Sequence, residues 1–352
     1  MDVTVIQDYM SKMKDIEQNI IDYLENEESD EFDHQNLMDF FKDSHIRSNK
    51  QVFKGTLYML SNISENHHRQ RSFFNKIEQI FQYFIPKMKK TFSKCEIFNI
   101  FKRNKRILLF LFEQKVIIPN KYFLSIFSKD KYKRKFYSEY FLKEFKPLYD
   151  DNTFIYLKTR IPDDIDSELF EERRKEGENQ LELCQMIRND SIDEFIHFTS
   201  QSNISLSYTI KPSIYETNPI FLKNRPTLIE YAAFYGSIQI FNYLKMNNVK
   251  LNPSLWIYAI HSNNPEMIHL IEYDEIESPH YSFKDCYKES IKCHHNAIMD
   301  YIKDNLYVGE REKNIKMFLK SIQYHNYCYL YDLIYFSIAN SANFITVIWK
   351  WE

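Results

Sequence analysis

The side chains best suited to chemistry lie close together near residue 290. Cys286, Cys293, His294 and His295 carry sulfur and nitrogen atoms of the kind that zinc accepts as ligands. Their spacing argues against a zinc site, because the two cysteines lie seven residues apart on a predicted helix and the chain has no short Cys-Cys hairpin spacing. His294 also falls at a predicted turn between two helices, which gives it a structural role. We therefore predict no metal ligand and no cofactor here.

Other patterns that point to catalysis are weak. The pair His67 and His68 lies between two predicted helices and is better interpreted as a solvated turn, and no serine has the strand-turn-helix context of a nucleophile. Every glycine-rich phosphate cradle needs at least two glycines close together. The four glycines of this chain, no two within fifty residues of each other, are Gly55, Gly177, Gly236 and Gly309. These patterns predict a protein that is not an enzyme.

Bulk composition favours a helical intracellular protein. The 352 residues are 44% hydrophobic and 16% aromatic, which is ample for a core, while sparse glycine and the lack of period-two alternation argue against a sheet. Five scattered cysteines suit a reducing compartment. The first ten residues lack the apolar core of a signal peptide, and the longest dense apolar run, Ile107–Phe112, is too short for a bilayer. We expect a cytoplasmic protein, with the nucleus not excluded.

The stretch from Arg225 to Asn252 predicts two short helices joined by a tight turn, with Thr227 opening the first helix and Ser237 the second. One hairpin cannot bury its own apolar faces, so it needs neighbours of the same kind. The pattern recurs 27 residues later, then after two steps of 31 residues, and once earlier around Ser191. Five copies in order predict an all-α solenoid of stacked helix-turn-helix repeats.

The copies also match in the chemistry of their turns. Ser191 and Asn264 stand where Ser237 stands, and each of these side chains is of a type that accepts hydrogen bonds from the free amides of a helix start. The residues predicted at the turn before the second helix are Gly236, Asn263, His294 and His325.

The central stretch resembles the ankyrin repeat. The residues in the ankyrin register are Thr227, Ile229, Ala232, Ala233, Gly236, Ile240, Leu244, Leu251 and Asn252. Leu228 and Glu230 replace the proline and histidine of the ankyrin signature, and Asn248 stands where glycine is usual. The last change is mild, because asparagine tolerates a left-handed backbone.

From roughly Phe32 to Lys320 the chain looks like a divergent ankyrin-like domain of unknown function that is greatly expanded in trichomonad protists. The runs that carry this resemblance are IRNDSIDEFIHF, IKPSIYETN, LIEYAAFYGSIQIFNYLK, PSLWIYAIHSNNPEMIHLIE and ESIKCHHNAIMDYI. The resemblance implies a scaffold or adaptor that binds a protein partner and has no assigned chemistry.

Composition divides the chain into five regions. They are an N-terminal acidic helix (1–31), a basic helical region of divergent hairpins (32–148), an acidic connector (149–178), the ankyrin-like repeats (179–334) and an irregular apolar tail (335–352). In the basic region Ser93 and Glu96 form a capping-box pattern, and Ile107 and Val116 can be aligned with Ile240 and Val249 of the central repeat. This alignment predicts that helical hairpins extend into the N-terminal half.

Charge is unevenly distributed along the chain. Residues 47–147 carry 23 lysines and arginines against 7 acidic residues, whereas 1–46 carries 3 against 13 and 149–352 carries 20 against 29. The basic runs KMKK, KRNKR and KDKYKRK suit a phosphate backbone or an acidic membrane, which is the alternative function. The other interpretation is a solvated face that attracts acidic segments of the same chain, and the helical spacing of the interleaved aromatic residues favours core packing.

An insertion at 202–226 interrupts the repeats and carries Pro212, Pro219 and Pro226. A loop of this length in a repeat protein often lies on the binding side. Packing into the body of the repeats is the equally weighted alternative.

The resemblance implies that a partner binds at the turn tips and at exposed positions of each first helix. The register places there Phe234, Tyr235, Lys250, His261, Ser262, Lys292, Gln323 and Tyr324. Tyr235 and Tyr324 are the expected anchors, because tyrosine combines a large contact area with a polar tip. The competing interpretation of each residue is an ordinary stacking contact between repeats.

After Ile334 the repeat pattern ends, and residues 335–352 are apolar where a terminal repeat should be polar. Either this tail folds back over the last hairpin or it exposes a patch through which the chain self-associates. The sequence does not identify the protein partner.

Overall fold

The computed structural model describes residues 3–26, 31–129, 136–278, 283–307 and 313–332. Within these ranges the chain consists of helices joined by turns and loops, apart from one isolated antiparallel bridge between Thr209 and Thr227. The prediction of an all-α protein is confirmed for this part of the chain. The apolar tail 335–352, and with it the predicted self-association, lies outside the described residues.

Two compact units make up the chain. Unit 1 joins Met1–Lys87 with Ser282–Glu352, and unit 2 is Met88–Tyr281. The first and last helices therefore belong to the same unit, although the whole of unit 2 separates them in sequence.

The α-helices of the described residues follow one another along the chain. They are α1 (Val3–Glu25), α2 (Glu31–Asp43), α3 (Lys50–Asn66), α4 (Phe73–Thr91), α5 (Lys94–Phe101), α6 (Lys105–Glu113), α7 (Lys121–Lys129), α8 (Tyr137–Tyr140), α9 (Leu142–Phe145), α10 (Asp151–Lys158), α11 (Glu168–Glu176), α12 (Glu182–Arg188), α13 (Ile192–Gln201), α14 (Pro219–Lys223), α15 (Leu228–Tyr235), α16 (Ile238–Met246), α17 (Leu255–His261), α18 (Pro265–Tyr273), α19 (Lys284–Cys293), α20 (Asn296–Tyr301) and α21 (Lys313–Tyr324). A π-helical segment, Ile302–Leu306, continues α20. Helices α1 to α3 and α19 to α21 lie in unit 1, and α5 to α18 lie in unit 2.

Helices α12/α13, α15/α16 and α17/α18 in unit 2, and α19/α20 in unit 1, form hairpins with one recurring turn. The turn contains a residue with a left-handed backbone, and a further such residue lies between α21 and the helical residues 327–332. These residues are Asp190, Gly236, Asn263, His294 and His325, with φ of 50°, 69°, 50°, 58° and 55°. In the central hairpin the amide of Ser237 then donates to the carbonyl of Ala232, five residues back, at 3.0 Å. The predicted turn register is confirmed.

The second helices in unit 2 end in the same way. The left-handed residues that follow them are Lys115, Asn203, Asn248 and Glu275, with φ of 50°, 49°, 58° and 50°. The amide of Val249 donates to the carbonyl of Leu244 at 3.2 Å, and the amide of Val116 donates to that of Leu111 at 2.9 Å. The end of α6 therefore matches the end of α16, as the alignment of Val116 with Val249 predicts, whereas the turn between α5 and α6 has no left-handed residue.

All five predicted helix starts are confirmed, but only three of them carry a side-chain cap. Capping boxes form at Ser93 with Glu96 and at Thr227 with Glu230. The side chain of Asn264 accepts from the amide of Glu266 at 2.9 Å. Ser191 and Ser237 make no capping hydrogen bond.

The neighbouring hairpin explains why Ser237 does not cap. Its hydroxyl donates to the carbonyl of Ile187, in the preceding hairpin, at 2.5 Å. The carboxylate of Asp190, in the preceding turn, accepts from the amides of Gln239 and Ile240 at 3.0 Å each. The cap of α16 therefore comes from the hairpin before it, and the serine joins the two hairpins.

In unit 1 the corresponding carboxylate comes from α1. Glu17 has a fully buried side chain and accepts from the amides of Tyr327 and Cys328, the latter at 2.9 Å. Its other oxygen lies 2.6 Å from Nδ1 of His294, and Nε2 of the same ring lies 3.0 Å from the carbonyl of Tyr324. One buried carboxylate thereby joins α1 to the last two hairpin turns of the described chain.

The insertion 202–226 is packed within unit 2. The amide of Ile210 donates to the carbonyl of Pro226 at 2.8 Å, and the amide of Leu228 donates to that of Tyr208 at 3.2 Å. The side chains of Tyr215 and of Phe221 in α14 are buried. Of the two interpretations of this insertion, packing is the one that the structure favours.

Candidate protein-interaction surface

The chain exposes two large apolar side chains at equivalent positions of adjacent hairpins. Met246 is the last residue of α16 and Tyr273 is the last residue of α18, and each lies ten residues after the left-handed turn of its own hairpin. Their exposures are 81% for Met246 and 84% for Tyr273. The other apolar residues of these two second helices that repeat with the register, such as Leu244 and Ile271, are fully buried.

An ion pair fixes the two helix ends relative to each other. Nζ of Lys245, next to Met246, lies 2.5 Å from a carboxylate oxygen of Asp274, next to Tyr273. The pair is partly shielded, with 31% of the lysine side chain and 11% of the aspartate side chain exposed. Met246, Tyr273 and the exposed Lys250 form what we call the loop-end surface, because all three lie where the hairpins pass into their connecting loops.

Three of the residues expected at the turn tips have little surface to offer a partner. Phe234, His261 and Ser262 are 3%, 1% and 3% exposed. The rings of Phe234 and His261 stack with centroids 4.8 Å apart, and the hydroxyl of Ser262 donates to the carbonyl of Ala259 at 2.6 Å. Burial therefore contradicts the expected exposure of these three positions, since Phe234 and His261 stack between α15 and α17 and Ser262 bonds within the end of α17.

Tyr235 is half-buried and already has a partner within unit 2. Its hydroxyl donates to the carboxylate of Glu178 at 2.5 Å, and its ring packs against Phe221 and Tyr231. Burial and the neighbouring carboxylate raise the pKa of Tyr235 well above its ordinary value, so the hydroxyl stays protonated. Its contacts are those of a residue that holds α15 against the 177–180 segment.

The predicted residues of unit 1 differ in how accessible they are. Lys292 is largely buried and lies 2.6 Å from the carboxylate of Glu289. Burial lowers the pKa of Lys292, but the charge of Glu289, the hydrogen bond to it and neighbouring groups together outweigh burial, so this pKa is raised. Gln323 is exposed and accepts from Nζ of Lys320 at 2.8 Å. Tyr324 is half-buried, with Nζ of Lys320 at 5.6 Å from its ring centroid. Gln323 and Tyr324 therefore keep surface for a partner, and Lys292 is held by its own helix.

The group of possible zinc ligands near residue 290 is built into the interior. Cys286 and Cys293 are free and buried, and burial raises the pKa of both thiols, which keeps them protonated at neutral pH. Both ring nitrogens of His294 face acceptors of the fold. His67, predicted to lie in a solvated turn, is 3% exposed, and its Nδ1 lies 2.8 Å from the carbonyl of Cys293. That prediction is wrong, because His67 packs on the α19 turn.

Some cations of the basic block, residues 47–147, are also buried and bind backbone carbonyls. The ammonium of Lys105 donates to the carbonyls of Ile214 and Glu216 at 2.8 and 2.7 Å, and full burial lowers its pKa to about 7. Arg106 donates to the carbonyl of Lys175 at 2.7 Å. Lys76 donates to carbonyls at the end of α1, including that of Tyr23 at 2.9 Å. These three cations are therefore not available to bind a nucleic acid or an acidic membrane. Lys89, Lys90 and Arg103 of the same basic block are exposed. The run at 129–135 lies largely outside the described residues.

Sequence reasoning missed Met246 and Tyr273. The signal was present, because the repeat alignment leaves both residues outside the buried register at the same distance after the turn. It was not decisive, since the end of a helix can equally fold under the next loop.

Comparison of the chain with protein-family models, with curated proteins and with solved structures finds no match. In the part of the chain that the structure describes, no helix is long and apolar enough to cross a membrane. Function is therefore inferred from the geometry of the chain itself.

Proposed function

We propose that the helical hairpins belong to an ankyrin-like solenoid and that the chain is a non-enzymatic interaction module, a scaffold or adaptor that binds another protein. The recurrence of the left-handed residue at five successive turns, four of them in the hairpins named above and one after α21, supports the repeat architecture. The fold then serves to hold surface residues at a regular spacing.

The observation that carries the proposal is the paired exposure of Met246 and Tyr273. Single exposed apolar side chains are normal on any protein, but two at equivalent positions of adjacent repeats form a patterned surface. Methionine adapts its shape to a partner, and tyrosine offers a rigid ring with a polar tip, so both are enriched at protein interfaces. Binding through the loop-end surface replaces the buried turn-tip residues as the expected mode.

The test is affinity capture with the full chain, because the two units interleave in sequence and cutting the chain between its halves would divide unit 1. The bait is compared with the double variant Met246→Ser/Tyr273→Ser in lysate of the cells that produce the protein. The matched control is Ile155→Ser/Tyr156→Ser, which removes two apolar side chains that are each 60% exposed on α10.

The proposal predicts a protein that the wild type and the α10 control retain at high salt and that the loop-end variant loses. Retention by all three baits would assign binding to another surface. Capture of nucleic acid or acidic lipid that disappears at high salt would favour the anion-binding alternative.

A further inference from the structure

The loop-end surface has a distinct charge environment. Tyr273 is followed by Asp274, Glu275 and Glu277 and preceded by Glu272. Asp274 is neutralised by Lys245 in the ion pair, whereas Glu275 and Glu277 are exposed. The two exposed carboxylates that follow Tyr273, Glu275 and Glu277, thus outnumber Lys250, the exposed cation of the loop-end surface.

The ion pair between Lys245 and Asp274 joins the residues next to Met246 and Tyr273, so these two charges neutralise each other. The exposed carboxylates that follow Tyr273 in the chain, Glu275 and Glu277, lie outside this pair. A ligand that covers Tyr273 and the loop after it therefore meets negative charge.

We propose that the loop-end surface binds a segment of a partner protein that carries lysine or arginine residues interspersed with apolar side chains. The inference rests on the proposed function and adds the chemistry of the partner. Apolar side chains of the segment would cover Met246 and Tyr273, and its cations would pair with Glu275 and Glu277 or lie over the tyrosine ring. Charge complementarity of this kind speeds association and excludes wrong partners.

The same charges exclude the opposite class of ligand at this surface. A phosphate backbone or an anionic bilayer would place negative charge against the exposed Glu275 and Glu277, and like charges in contact are unfavourable. An acidic protein segment is disfavoured for the same reason. The sign of the charge thus selects a basic segment.

The probe is a fluorescein-labelled peptide in which single leucines alternate with pairs of lysines, and its binding to the full chain is followed by fluorescence anisotropy. A second peptide has every lysine replaced by glutamine, and a third has every leucine replaced by serine. The protein variants are Tyr273→Ser and Glu275→Gln/Glu277→Gln. Tyr156→Ser, which removes a tyrosine that is 60% exposed on α10, is the control.

Binding of the lysine-leucine peptide is expected to weaken about tenfold in Tyr273→Ser, the size of a central aromatic contact. It is expected to weaken about fivefold in the double glutamine variant, since exposed charge pairs contribute less. Raising NaCl from about 0.1 M to about 1 M shortens the Debye length from about 10 to about 3 Å and should weaken it further. Both substituted peptides should bind poorly, and Tyr156→Ser should bind as the wild type does.

Equal affinity in all protein variants, or equal affinity for the glutamine peptide, would overturn the inference. The outcome is separable from that of the proposed function. If the loop-end variant loses a captured protein but the basic peptide does not bind, the surface stands and the partner class is wrong. If the peptide binds as expected but no protein is captured, the inference stands and the proposed function loses its support.

Discussion

Two hairpin junctions in this protein meet the same requirement in different ways. The second helix of a hairpin begins with free amides that need acceptors. In unit 2 the amides at the start of α16 are bound by Asp190, a residue of the preceding turn, about fifty positions away. In unit 1 the amides of Tyr327 and Cys328 are bound by Glu17, which is 310 positions from Tyr327.

The difference follows from one residue type. The preceding turn in unit 1 has His294 at the left-handed position where unit 2 has Asp190. An imidazole offers no carboxylate to two amides, so Glu17 supplies it and His294 holds the other carboxylate oxygen. The Asp190 junction joins neighbouring hairpins and is partly exposed, whereas the Glu17 junction joins α1 to the last hairpin and is buried, so similar turns should differ greatly in what they contribute to stability.

The largest expected effect is that of Glu17→Ala. Removing a buried carboxylate leaves two amides and one imidazole without their acceptor, and breaking such a buried group typically costs about 3–5 kcal/mol. We expect the free energy of unfolding from urea titration to fall by that amount.

Asp15→Ala on the same helix is the matched control for Glu17→Ala, because the Asp15 side chain is exposed, and it should change stability by less than about 0.5 kcal/mol. Similar values for the two variants would mean that the contact between α1 and the last hairpin is not needed for stability.

A second prediction concerns the loss of folding stability at acidic pH. His325 stacks on Tyr58 with ring centroids 5.0 Å apart, and burial, followed by the nearby His294, lowers its pKa to about 4. The unfolded chain, with a histidine pKa near 6.5, therefore binds this proton first. Stability is complete above about pH 6.5 and is lost as the pH falls towards 4, by at most roughly 3 kcal/mol.

The variant that tests this is His325→Asn, because Asn263 shows that asparagine adopts the same turn in unit 2. Urea titrations at several pH values between 7 and 4 should give a shallower loss in the variant than in the wild type. His269→Asn, with a side chain that is 65% exposed, should follow the wild type. A variant profile parallel to that of the wild type would assign the acid sensitivity to other groups.

A third prediction contrasts two glycines. A Cβ at Gly55 in α3 would lie 2.7 Å from Oη of Tyr9 and 3.2 Å from Oη of Tyr327, so Gly55→Ala should destabilise unit 1 by about 1–2 kcal/mol although alanine is the better helix former. Gly236→Ala should cost a similar amount, about 1–2 kcal/mol, for a different reason, since φ is +69° there.

Second-site changes separate the two causes. Tyr9→Phe should recover part of the loss in Gly55→Ala, because it removes the nearest atom. Gly236→Asn should be milder than Gly236→Ala, because asparagine tolerates the left-handed backbone. These are differences in urea midpoint, and the opposite order in either pair would show that space and backbone angle have been assigned to the wrong glycine.

How much was predictable depends on sequence distance. The turns at Gly236 and His294 and the capping box at Thr227 follow from residues within a few positions, and these predictions are confirmed. Glu17 could not be found in the same way, because a glutamate beside the apolar stripe of a helix looks like any solvated residue. Its acceptor role exists only after α1 and the last hairpin meet. The exposure of Tyr273 likewise depends on which loops cover the hairpin ends, and the register alone does not specify that.

The smallest expected effect compares two neighbouring residues of one turn, Asp190, which caps α16, and Ser191, which precedes α13. The sequence favoured the serines, and the structure gives the cap of α16 to Asp190. Asp190→Gly, which removes the carboxylate and tolerates the left-handed backbone at φ 50°, should therefore lower the free energy of unfolding by about 1 kcal/mol, the usual size of a lost cap. Ser191→Ala should change it by less than about 0.5 kcal/mol, since Ser191 makes no capping bond. A larger loss in the Ser191 variant than in the Asp190 variant would mean that the start of α13 matters more for stability than the bonds from Asp190 to α16.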